Sequence, residues 1–349
     1  QGEDFMAKIT RRTFTGLLTA STAALAMPSI SLGALPRVVV IGGGAGGATA
    51  ARYLAKDSKG AVDVTLVEAS KRYYTCFFSN LYLGGVRNYG SIGHNYYGLA
   101  VNRGVNVVHE WAVSVDNTAK KVNLGSGSSI SYDKLVISPG IDIKYESVNG
   151  YSPEAQTHIP HAWKSGTQVQ LLKNKVMNMK QGGTFVMVAP PNPYRCPPGP
   201  YERVSMIAHQ FKKSNPTAKI VVLDPKNKFS KQGLFMQAWQ RHYPGMIEWI
   251  DADTHGGIKN VNVATMEFET DLDTFKADAA SIVPGQRAGS IAMAAGVNDG
   301  DWCPIKPASM QSKADENIYV LGDASMAASM PKSGFSANSQ AKVAANHIR

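Results

Sequence analysis

The segment from Arg37 to Glu68 constrains the fold more than any other part of the sequence. It begins with an apolar β-branched run, Val38 to Ile41, which predicts a strand buried on both faces of a parallel sheet. Three glycines at G-x-G-x-x-G spacing follow, then an alanine-rich helical stretch, Ala45 to Lys56, and a second β-branched run, Val62 to Val67. This order predicts a βαβ unit that binds a dinucleotide rather than a glycine-rich structural turn.

Each polar or small residue of this unit has an expected role. Gly42 makes the tight turn, Gly44 lets the backbone approach a pyrophosphate, and Gly47 lets the helix pack closely on the strand. The helix N-terminus faces the phosphates. Glu68 ends the second strand, where its carboxylate can accept hydrogen bonds from an adenosine ribose.

A second βαβ unit follows the same plan without the glycines. We expect a strand at Thr184 to Val188, a helix at Tyr201 to Lys213, and a strand at Lys219 to Leu223 that ends on Asp224. The connecting turn, residues 189–200, is rich in proline and contains Cys196. Proline fixes φ and lacks an amide donor, so this turn is not suited to cradle a pyrophosphate. We predict an α/β fold with two Rossmann-like domains, the second without a nucleotide fingerprint.

Two later segments are typical of strands that end beside a cofactor. The run that ends in Pro139 and Gly140 resembles the second fingerprint of flavoproteins with two dinucleotide-binding domains. Asp323 follows a short strand, where its carboxylate can hold flavin ribitol hydroxyls, although a helix N-cap is an alternative role. Lys332 precedes a final helix, Ala337 to Ile348, whose N-terminus is expected at the electron-rich edge of a flavin.

Composition and the N-terminus indicate export. The formal charge is +10, but no Lys/Arg block is interleaved with aromatic residues, which argues against nucleic acid. Arg11 and Arg12 precede an apolar stretch, Leu17 to Leu25, so residues 1–36 are predicted to be a twin-arginine signal region; an ordinary secretory signal is the alternative. No stretch is long enough to span a membrane, and we predict a periplasmic protein.

Several motifs together resemble the flavoprotein subunit of flavocytochrome c sulfide dehydrogenase, from Arg37 to Arg349. They are Tyr73-Tyr74-Thr75-Cys76, Pro160-His161-Ala162-Trp163-Lys164, Arg195-Cys196-Pro197-Pro198-Gly199-Pro200-Tyr201-Glu202, Trp302-Cys303-Pro304 and Pro331-Lys332-Ser333-Gly334.

The resemblance implies domains of the glutathione-reductase type: an FAD-binding domain at 37–155 and 291–349, and a second Rossmann-like domain at 156–290. It implies FAD attached covalently through Cys76, a redox-active disulfide between Cys196 and Cys303, and a c-type cytochrome partner. The family continues into a C-terminal interface segment, which we expect beyond Arg349.

The sulfur chemistry fits these expectations. Hydrosulfide is a nucleophile, and its attack on a disulfide gives a persulfide and frees the other cysteine as a thiolate that can reduce a flavin. Glu202 can move protons or simply complement a helix dipole. His158 and His161 lack a metal-ligand constellation and are interpreted as structural, so no metal is predicted. The chain has no C-x-x-C-H haem motif, so electrons must leave to another molecule.

Three alternatives remain open from the sequence. Cys196 and Cys303 can form a plain structural disulfide, as is common in exported proteins. The chain can instead be a sulfide:quinone reductase that delivers electrons to membrane quinone. It can also be a non-catalytic flavin subunit that transfers electrons within a sulfur-oxidising complex.

Overall fold

A computed structural model describes residues 34–164 and 166–349. Most of the predicted signal region, Arg11 and Arg12 included, lies outside the described residues. The strands, in chain order, are β1 Arg37–Ile41, β2 Asp63–Val67, β3 Tyr73–Tyr74, β4 Gly93–His94, β5 Asn106–Val108, β6 Ala112–Asp116, β7 Lys121–Leu124, β8 Ser129–Ser131, β9 Lys134–Ile137, β10 Ile141–Lys144, β11 Thr184–Val188, β12 Lys219–Leu223, β13 Ile247–Ile250, β14 Ile258–Asn262, β15 Glu267–Thr270, β16 Thr274–Lys276, β17 Ala279–Ile282, β18 Gly285–Ala288, β19 Cys303–Pro304, β20 Ile318–Val320 and β21 Ser325–Met326. The α-helices are α1 Ala45–Asp57, α2 Ser79–Leu83, α3 Tyr97–Arg103, α4 Thr167–Met177, α5 Gly199–Ser214, α6 Gln232–His242, α7 Ala252–His255, α8 Ser290–Ala294 and α9 Gly334–Ile348.

The first large sheet is parallel and has the strand order β20-β9-β1-β2-β5. Its central strand β1 pairs with β2 from Arg37 to Ile41 and with β9 from Val38 onward. Apart from Arg37, the residues of β1 are buried, as its β-branched sequence predicts. Strand β20 comes from the last part of the chain, so this sheet is complete only when residues 318–320 pair with β9.

The second large sheet is also parallel, with the order β13-β12-β11-β17. Its strands come from residues 184–282, within the range predicted for the second domain, whereas those of the first sheet come from residues 37–137 and 318–320. The domain boundaries themselves stay a prediction. The five remaining sheets of the described chain are small: β6-β7-β8, β14-β15-β16, β10-β18, β3-β4 and β19-β21.

The turn between β1 and α1 depends on two close backbone approaches. Gly42 has φ +92°, and a Cβ at this position would overlap the carbonyl oxygen of Ser138, which follows β9. A Cβ on Gly47 would overlap the carbonyl oxygen of Gly42. Helix α1 therefore packs against strand β1 as closely as the glycine spacing predicts.

Helix α9 packs against α1 through small residues. Gly46 and Ala50 are buried on α1, and Ala337 and Ala341 are buried on α9. The Asn338 side-chain amide donates to the hydroxyl of Thr49 at 3.1 Å. The end of the chain is thereby fixed on the helix that begins at the glycine turn. No helix among the described residues combines the length and apolar character needed to cross a bilayer.

The predicted element bounds are corrected in a few places. Helix α5 begins at Gly199 rather than Tyr201, because Pro200 lies in the first turn, where a missing amide costs no hydrogen bond. Helix α9 begins at Gly334 rather than Ala337, because the Ser333 hydroxyl caps it by accepting from the Ser336 amide at 3.1 Å. Strand β2 is one residue shorter than predicted, at 63–67.

We expect Gly47→Ala to destabilise the protein, because its Cβ has no space beside the Gly42 carbonyl. Overpacking of this kind costs about 1–3 kcal/mol, and rigid backbone is the obstacle here. The matched control is Gly233→Ala in helix α6, where nothing lies within 4 Å of the added Cβ, and helix propensity favours alanine by at most about 1 kcal/mol. Urea unfolding gives the free energy of unfolding of both variants. Equal values would contradict the close approach.

Candidate functional site

A small cavity lies between the loop that holds Cys76 and the turn that holds Cys196. Its volume is about 20 Å³. We call it the cysteine cavity; six of its lining residues are Cys76, Asn80, Trp163, Cys196, Glu202 and Arg203. A larger open groove of about 480 Å³ is lined by His158, Lys175 and Lys180 among others, and it contains none of the three cysteines. The cysteine cavity is therefore the candidate site, although it is the smaller of the two.

Cys76 lies between β3 and α2. Its carbonyl oxygen accepts from the backbone amide of Ser79 at 3.2 Å and from the Ser79 hydroxyl at 2.6 Å, which fixes the loop at the start of the helix. Burial raises the pKa of the Cys76 thiol, and the nearby Arg195 guanidinium opposes that shift. The aromatic residues around Cys76 include Phe77, whose ring lies against Gly334 at the start of α9.

Cys196 is held in a left-handed conformation with φ +58°, which is uncommon for a residue with a side chain. Its amide donates to the carbonyl of Lys332 at 2.7 Å, and its own carbonyl accepts from the Gly199 amide at 2.7 Å, just where α5 begins. Burial raises the pKa of the Cys196 thiol to about 12. The turn therefore connects the second sheet to the returning end of the chain.

A buried ion pair adjoins the cavity. The Arg195 Nε donates to Asp323 Oδ2 at 2.7 Å, and Arg195 Nη1 donates to the carbonyl of Trp163 at 3.1 Å. Asp323 Oδ1 is buried and has no hydrogen-bond partner among the described residues. The guanidinium also lies against Gly140, where a Cβ would come within 2.6 Å of Arg195 Nη2. Asp323 thus retains one acceptor oxygen for a hydroxyl group.

Lys332 lies between the two segments that carry Cys196 and Cys303. Its ammonium group donates to the carbonyls of Asp323 at 2.7 Å and Ser325 at 2.9 Å, and it lies 3.6 Å from the ring centroid of Trp302. Burial lowers the pKa of Lys332 to about 8. Cys303 pairs with Ser325 between β19 and β21. Burial raises the pKa of the Cys303 thiol to about 12, and the Lys332 ammonium opposes this shift.

The structure brings together some of the predicted site residues and separates others. Cys76, Cys196 and Glu202 share the cysteine cavity, whereas Cys303 is not among its lining residues. All three cysteines are free thiols, so the Cys196–Cys303 disulfide is not formed in this structure and stays a prediction.

The glycine turn and its neighbours fit FAD. Helix α1 has no side-chain cap and no acidic residue in its first turn, so its first amides can receive a pyrophosphate. Glu68 accepts from the amides of Gly43 at 2.7 Å and Ser70 at 2.8 Å, which orients its carboxylate beside the turn. Pro139 follows β9 and lies against Gly289, where a Cβ would come within 2.8 Å of the Pro139 Cβ. Together with the free oxygen of Asp323, these groups suit the phosphates and hydroxyls of the cofactor.

The equivalent acid of the second βαβ unit is fully occupied by protein groups. Asp224 is 0% exposed, and its carboxylate accepts from the Tyr201 hydroxyl at 2.5 Å, the Trp249 indole at 2.9 Å and the Lys226 ammonium at 2.6 Å. The Tyr201 ring stacks on Phe229 with centroids 3.6 Å apart. An acid enclosed in this way is not available to a nucleotide ribose.

Glu202 and the two histidines have defined partners. The Asn80 amide donates to Glu202 Oε2 at 2.7 Å and to the carbonyl of Gly199 at 3.2 Å. His161 is buried, its Nδ1 accepts from the Trp163 amide at 2.9 Å, and burial lowers its pKa to about 3. His158 lines the larger groove. The described part of the chain contains no group of three or more residues able to bind a metal ion.

Four residues of the site were not predicted as functional from the sequence. Arg195 and Trp163 belong to the motifs that carry the family resemblance, which is the one signal that could have identified them. Asn80 and Arg203 gave no signal in the sequence. For Arg203 the reason is that an arginine on a helix is ordinarily exposed to solvent. Arg203 is instead 1% exposed.

Two protein-family models match parts of the chain. Residues 169–284 match the family model of the sulfide dehydrogenase [flavocytochrome c] flavoprotein chain, central region, and residues 36–180 match that of pyridine nucleotide-disulphide oxidoreductases. A curated relative, the sulfide dehydrogenase [flavocytochrome c] flavoprotein chain of Chlorobaculum thiosulfatiphilum, is 54% identical over 44 residues, which cover 13% of this chain and 90% of the relative. The mitochondrial sulfide:quinone oxidoreductase of Mus musculus is 26% identical over 186 residues, 53% of this chain and 41% of that one. The chain therefore spans less than half the length of the mouse relative.

Solved structures share the fold at low sequence identity. The sulfide:quinone oxidoreductase of Aquifex aeolicus superposes with a TM-score of 0.71 at 20% identity, covering 90% of this chain and 76% of the other. An NAD-dependent persulfide reductase from A. fulgidus gives a TM-score of 0.72 at 17% identity, covering 89% and 59%. These similarities confirm the predicted α/β fold of FAD-dependent disulfide oxidoreductases.

Proposed function

Because this chain belongs to the family of flavocytochrome c sulfide dehydrogenase flavoprotein chains, we propose that it oxidises sulfide and passes the electrons through FAD to a c-type cytochrome. We further propose that the protein acts in the periplasm after export by the twin-arginine route, and that Cys196 and Cys303 form its redox-active disulfide. One observation carries the proposal: Cys196 occupies the turn where the second βαβ unit would otherwise bind a nucleotide, and this turn adjoins the Cys76 loop.

The enclosed Asp224 supports a source of electrons other than a pyridine nucleotide. Tyr201, Trp249 and Lys226 already satisfy its carboxylate, and the proline-rich turn has no glycine between residues 189 and 198. A nucleotide would have to displace buried hydrogen bonds to reach this acid. Breaking such a network leaves buried polar groups unsatisfied, each at a cost of about 1–3 kcal/mol.

FAD, when bound, accepts two electrons together and releases them singly, which suits a one-electron cytochrome acceptor. The residues that would hold it are the glycine turn, Glu68, the turn at Pro139 and Gly140, and Asp323. Lys332 lies next to Asp323 through its hydrogen bond to the Asp323 carbonyl, so its positive charge is available at the same part of the site. Cys76 is proposed to tether the cofactor covalently.

The cysteines supply the sulfur chemistry. Hydrosulfide attacks one sulfur of the disulfide, the S–S bond breaks, and a persulfide forms on the attacked cysteine while the other leaves as a thiolate. Lys332 favours Cys303 as the leaving thiolate, because its ammonium group opposes the burial that raises the Cys303 pKa. Glu202 lies in the same cavity and is held by Asn80, so it can exchange a proton near Cys196.

A sulfide:quinone reductase is the second candidate. The similarity to the mouse and Aquifex sulfide:quinone oxidoreductases favours it, since the fold is shared with both. The two candidates differ in the electron acceptor and not in the sulfur chemistry.

We expect sulfide to bleach the FAD absorbance of the oxidised protein under anaerobic conditions, and added cytochrome c to be reduced in turn. NADH is the control reductant and should not bleach the flavin, because Asp224 is enclosed. The cytochrome rate should fall as salt rises, since residues 37–349 carry a formal charge of +9. Faster reduction of a soluble ubiquinone analogue would favour the second candidate. Absence of bleaching by sulfide would favour a non-catalytic flavin subunit.

We expect Cys196→Ser and Cys303→Ser each to slow sulfide-dependent flavin reduction by about 10³-fold or more, because the electrophilic disulfide is lost. Flavin content and folding should persist. A purely structural disulfide would behave differently: its loss costs about 2–5 kcal/mol, so the variants would melt earlier yet turn over at low temperature. Stopped-flow absorbance and thermal melts on the same two variants separate these outcomes.

We expect the FAD of the purified protein to stay attached after acid precipitation, with an intact mass higher by one FAD. Cys76→Ser should release the cofactor to the supernatant, because the covalent link to sulfur is gone. Cys303→Ser is the matched control and should keep its FAD attached. Free FAD in the supernatant of the unmodified protein would rule out the tether.

A further inference from the structure

Three residues that line the cysteine cavity each have a buried polar atom without a hydrogen-bond partner. These atoms are Arg203 Nε, Trp163 Nε1 and Asn80 Oδ1, and none of them has a partner among the described residues. Buried polar groups are nearly always paired, and each unpaired one costs about 1–3 kcal/mol. Three of them around one cavity indicate a ligand that would satisfy them together.

Arg203 is the most unusual of the three. Its Nη atoms donate to the carbonyl oxygens of His161 at 2.8 Å and Ala162 at 2.5 Å, and to the Ser281 hydroxyl at 3.1 Å. No carboxylate forms an ion pair with it in the part of the chain that the structure describes. Burial lowers the pKa of Arg203 to about 9, so the group still carries its charge at neutral pH.

Arg195, which also lines the cavity, differs from Arg203 because it has a carboxylate partner. Arg195 is paired with Asp323 at 2.7 Å, and its charge is thereby balanced. The carboxylate of Glu202 is held by the Asn80 amide and forms no ion pair with Arg203. His161 adds no charge at neutral pH, because its pKa is lowered to about 3. The Arg203 guanidinium lies over the Trp163 ring, 4.6 Å from its centroid, so the cavity has a cationic wall whose charge meets an aromatic face but no carboxylate.

The size and the polar groups of the cavity define the chemical class of the ligand. A volume of about 20 Å³ is enough for one molecule close to the size of water. Two N–H donors and a positive charge favour an anion, and the single acceptor, Asn80 Oδ1, favours an anion that still carries one hydrogen. Hydrosulfide has this composition, because it is a small monovalent anion with one S–H.

We propose that Arg203, Trp163 and Asn80 form a binding subsite for hydrosulfide next to Cys196, and that these same donors hold the terminal sulfur of the persulfide that follows. This inference rests on the proposed function, because it assigns the substrate of that reaction to named residues. Hydrosulfide keeps its proton on the attacking sulfur, a new S–S bond forms at Cys196, and the old S–S bond breaks. The electron pair of the broken bond leaves with Cys303 as a thiolate beside Lys332.

The test uses a probe that does not depend on sulfide turnover. In the fully reduced protein, Cys196 is alkylated with iodoacetamide, a neutral reagent, and the rate is followed by mass spectrometry of its peptide. Chloride serves as the probe, because it is a monatomic anion close to hydrosulfide in size, and gluconate at equal ionic strength serves as an anion too large for the cavity. We expect chloride to slow alkylation of Cys196 and gluconate not to do so.

Three variants locate the effect. Trp163→Phe removes one donor and keeps a ring, Arg203→Lys keeps the charge but lacks Nε, and Arg203→Met removes the charge. We expect the chloride concentration for half-protection to rise about tenfold or more in each, because a hydrogen bond to a charged group is lost. Arg203→Met also loses the bonds to His161 and Ala162, so Trp163→Phe and Arg203→Lys carry the test if it does not fold. Arg241 is exposed on α6, so Arg241→Lys is the matched control. Its half-protection concentration should equal that of the unmodified protein.

Steady-state kinetics provide the second measurement. Trp163→Phe should raise the KM for sulfide about tenfold while kcat changes little, since the substrate subsite is weakened and the disulfide is intact. Equal chloride protection in all variants, or no protection in the unmodified protein, would overturn the subsite. If chloride protects through Arg203 but sulfide does not bleach the flavin, the anion subsite stands and the proposed sulfide oxidation fails.

Discussion

The ion pair between Arg195 and Asp323 is the interaction on which the rest of the site depends. Arg195 belongs to the turn after β11 in the second sheet, and Asp323 follows β20 in the first sheet. Both side chains are about 15% exposed, so the pair is largely removed from water. Breaking a buried pair by removing one partner costs about 3–5 kcal/mol. Because Cys196 is the next residue after Arg195, the same contact positions the cysteine that we propose to be redox-active.

The two arginines of the site, Arg195 and Arg203, have different roles. Arg195 uses its charge on Asp323 and joins two parts of the chain, while Arg203 uses its Nη atoms on carbonyl oxygens and leaves its charge unbalanced. A buried cation without a counter-ion weakens the folded state, as the lowered pKa of Arg203 indicates. Such a cost is typical of functional sites, where a ligand later supplies the missing partner.

The sequence was sufficient for the elements that depend on local patterns. The bounds of β11 and β12 agree with the β-branched runs that predicted them, and the Gly42 turn has the positive φ expected of it. Parallel strands buried on both faces leave a continuous apolar run that is easy to recognise. The starts of α5 and α9 were less predictable, because prolines and a serine cap at the first turn determine them.

The composition of the cavity could not be predicted from the sequence, because it depends on contacts between distant segments. Asn80 donates to Glu202 across 122 residues, and Arg203 reaches the carbonyl of His161 across 42. Nothing in the local pattern of α5 distinguishes Arg203 from an exposed basic residue, since its burial results from the segment 160–163 that packs over it. The family motifs identified the cysteines, whereas only the fold identified the charged and polar groups around them.

The second βαβ unit has the layout of a nucleotide-binding unit and carries a cysteine in the turn after its first strand. In a nucleotide-binding unit, the turn after the first strand and the helix N-terminus together attract a phosphate. Here the same turn carries Cys196, and α5 begins three residues later with its amides directed at that end of the unit. Hydrosulfide and a thiolate, the charged species of the proposed reaction, are anions, so an environment that favours phosphate also favours them. Prolines rather than glycines form this turn and leave it unsuited to a pyrophosphate, and Arg203 adds charge where a single small anion fits. The proposed sulfur chemistry therefore needs a small cavity and a cysteine at this turn, and no change in the architecture of the sheet.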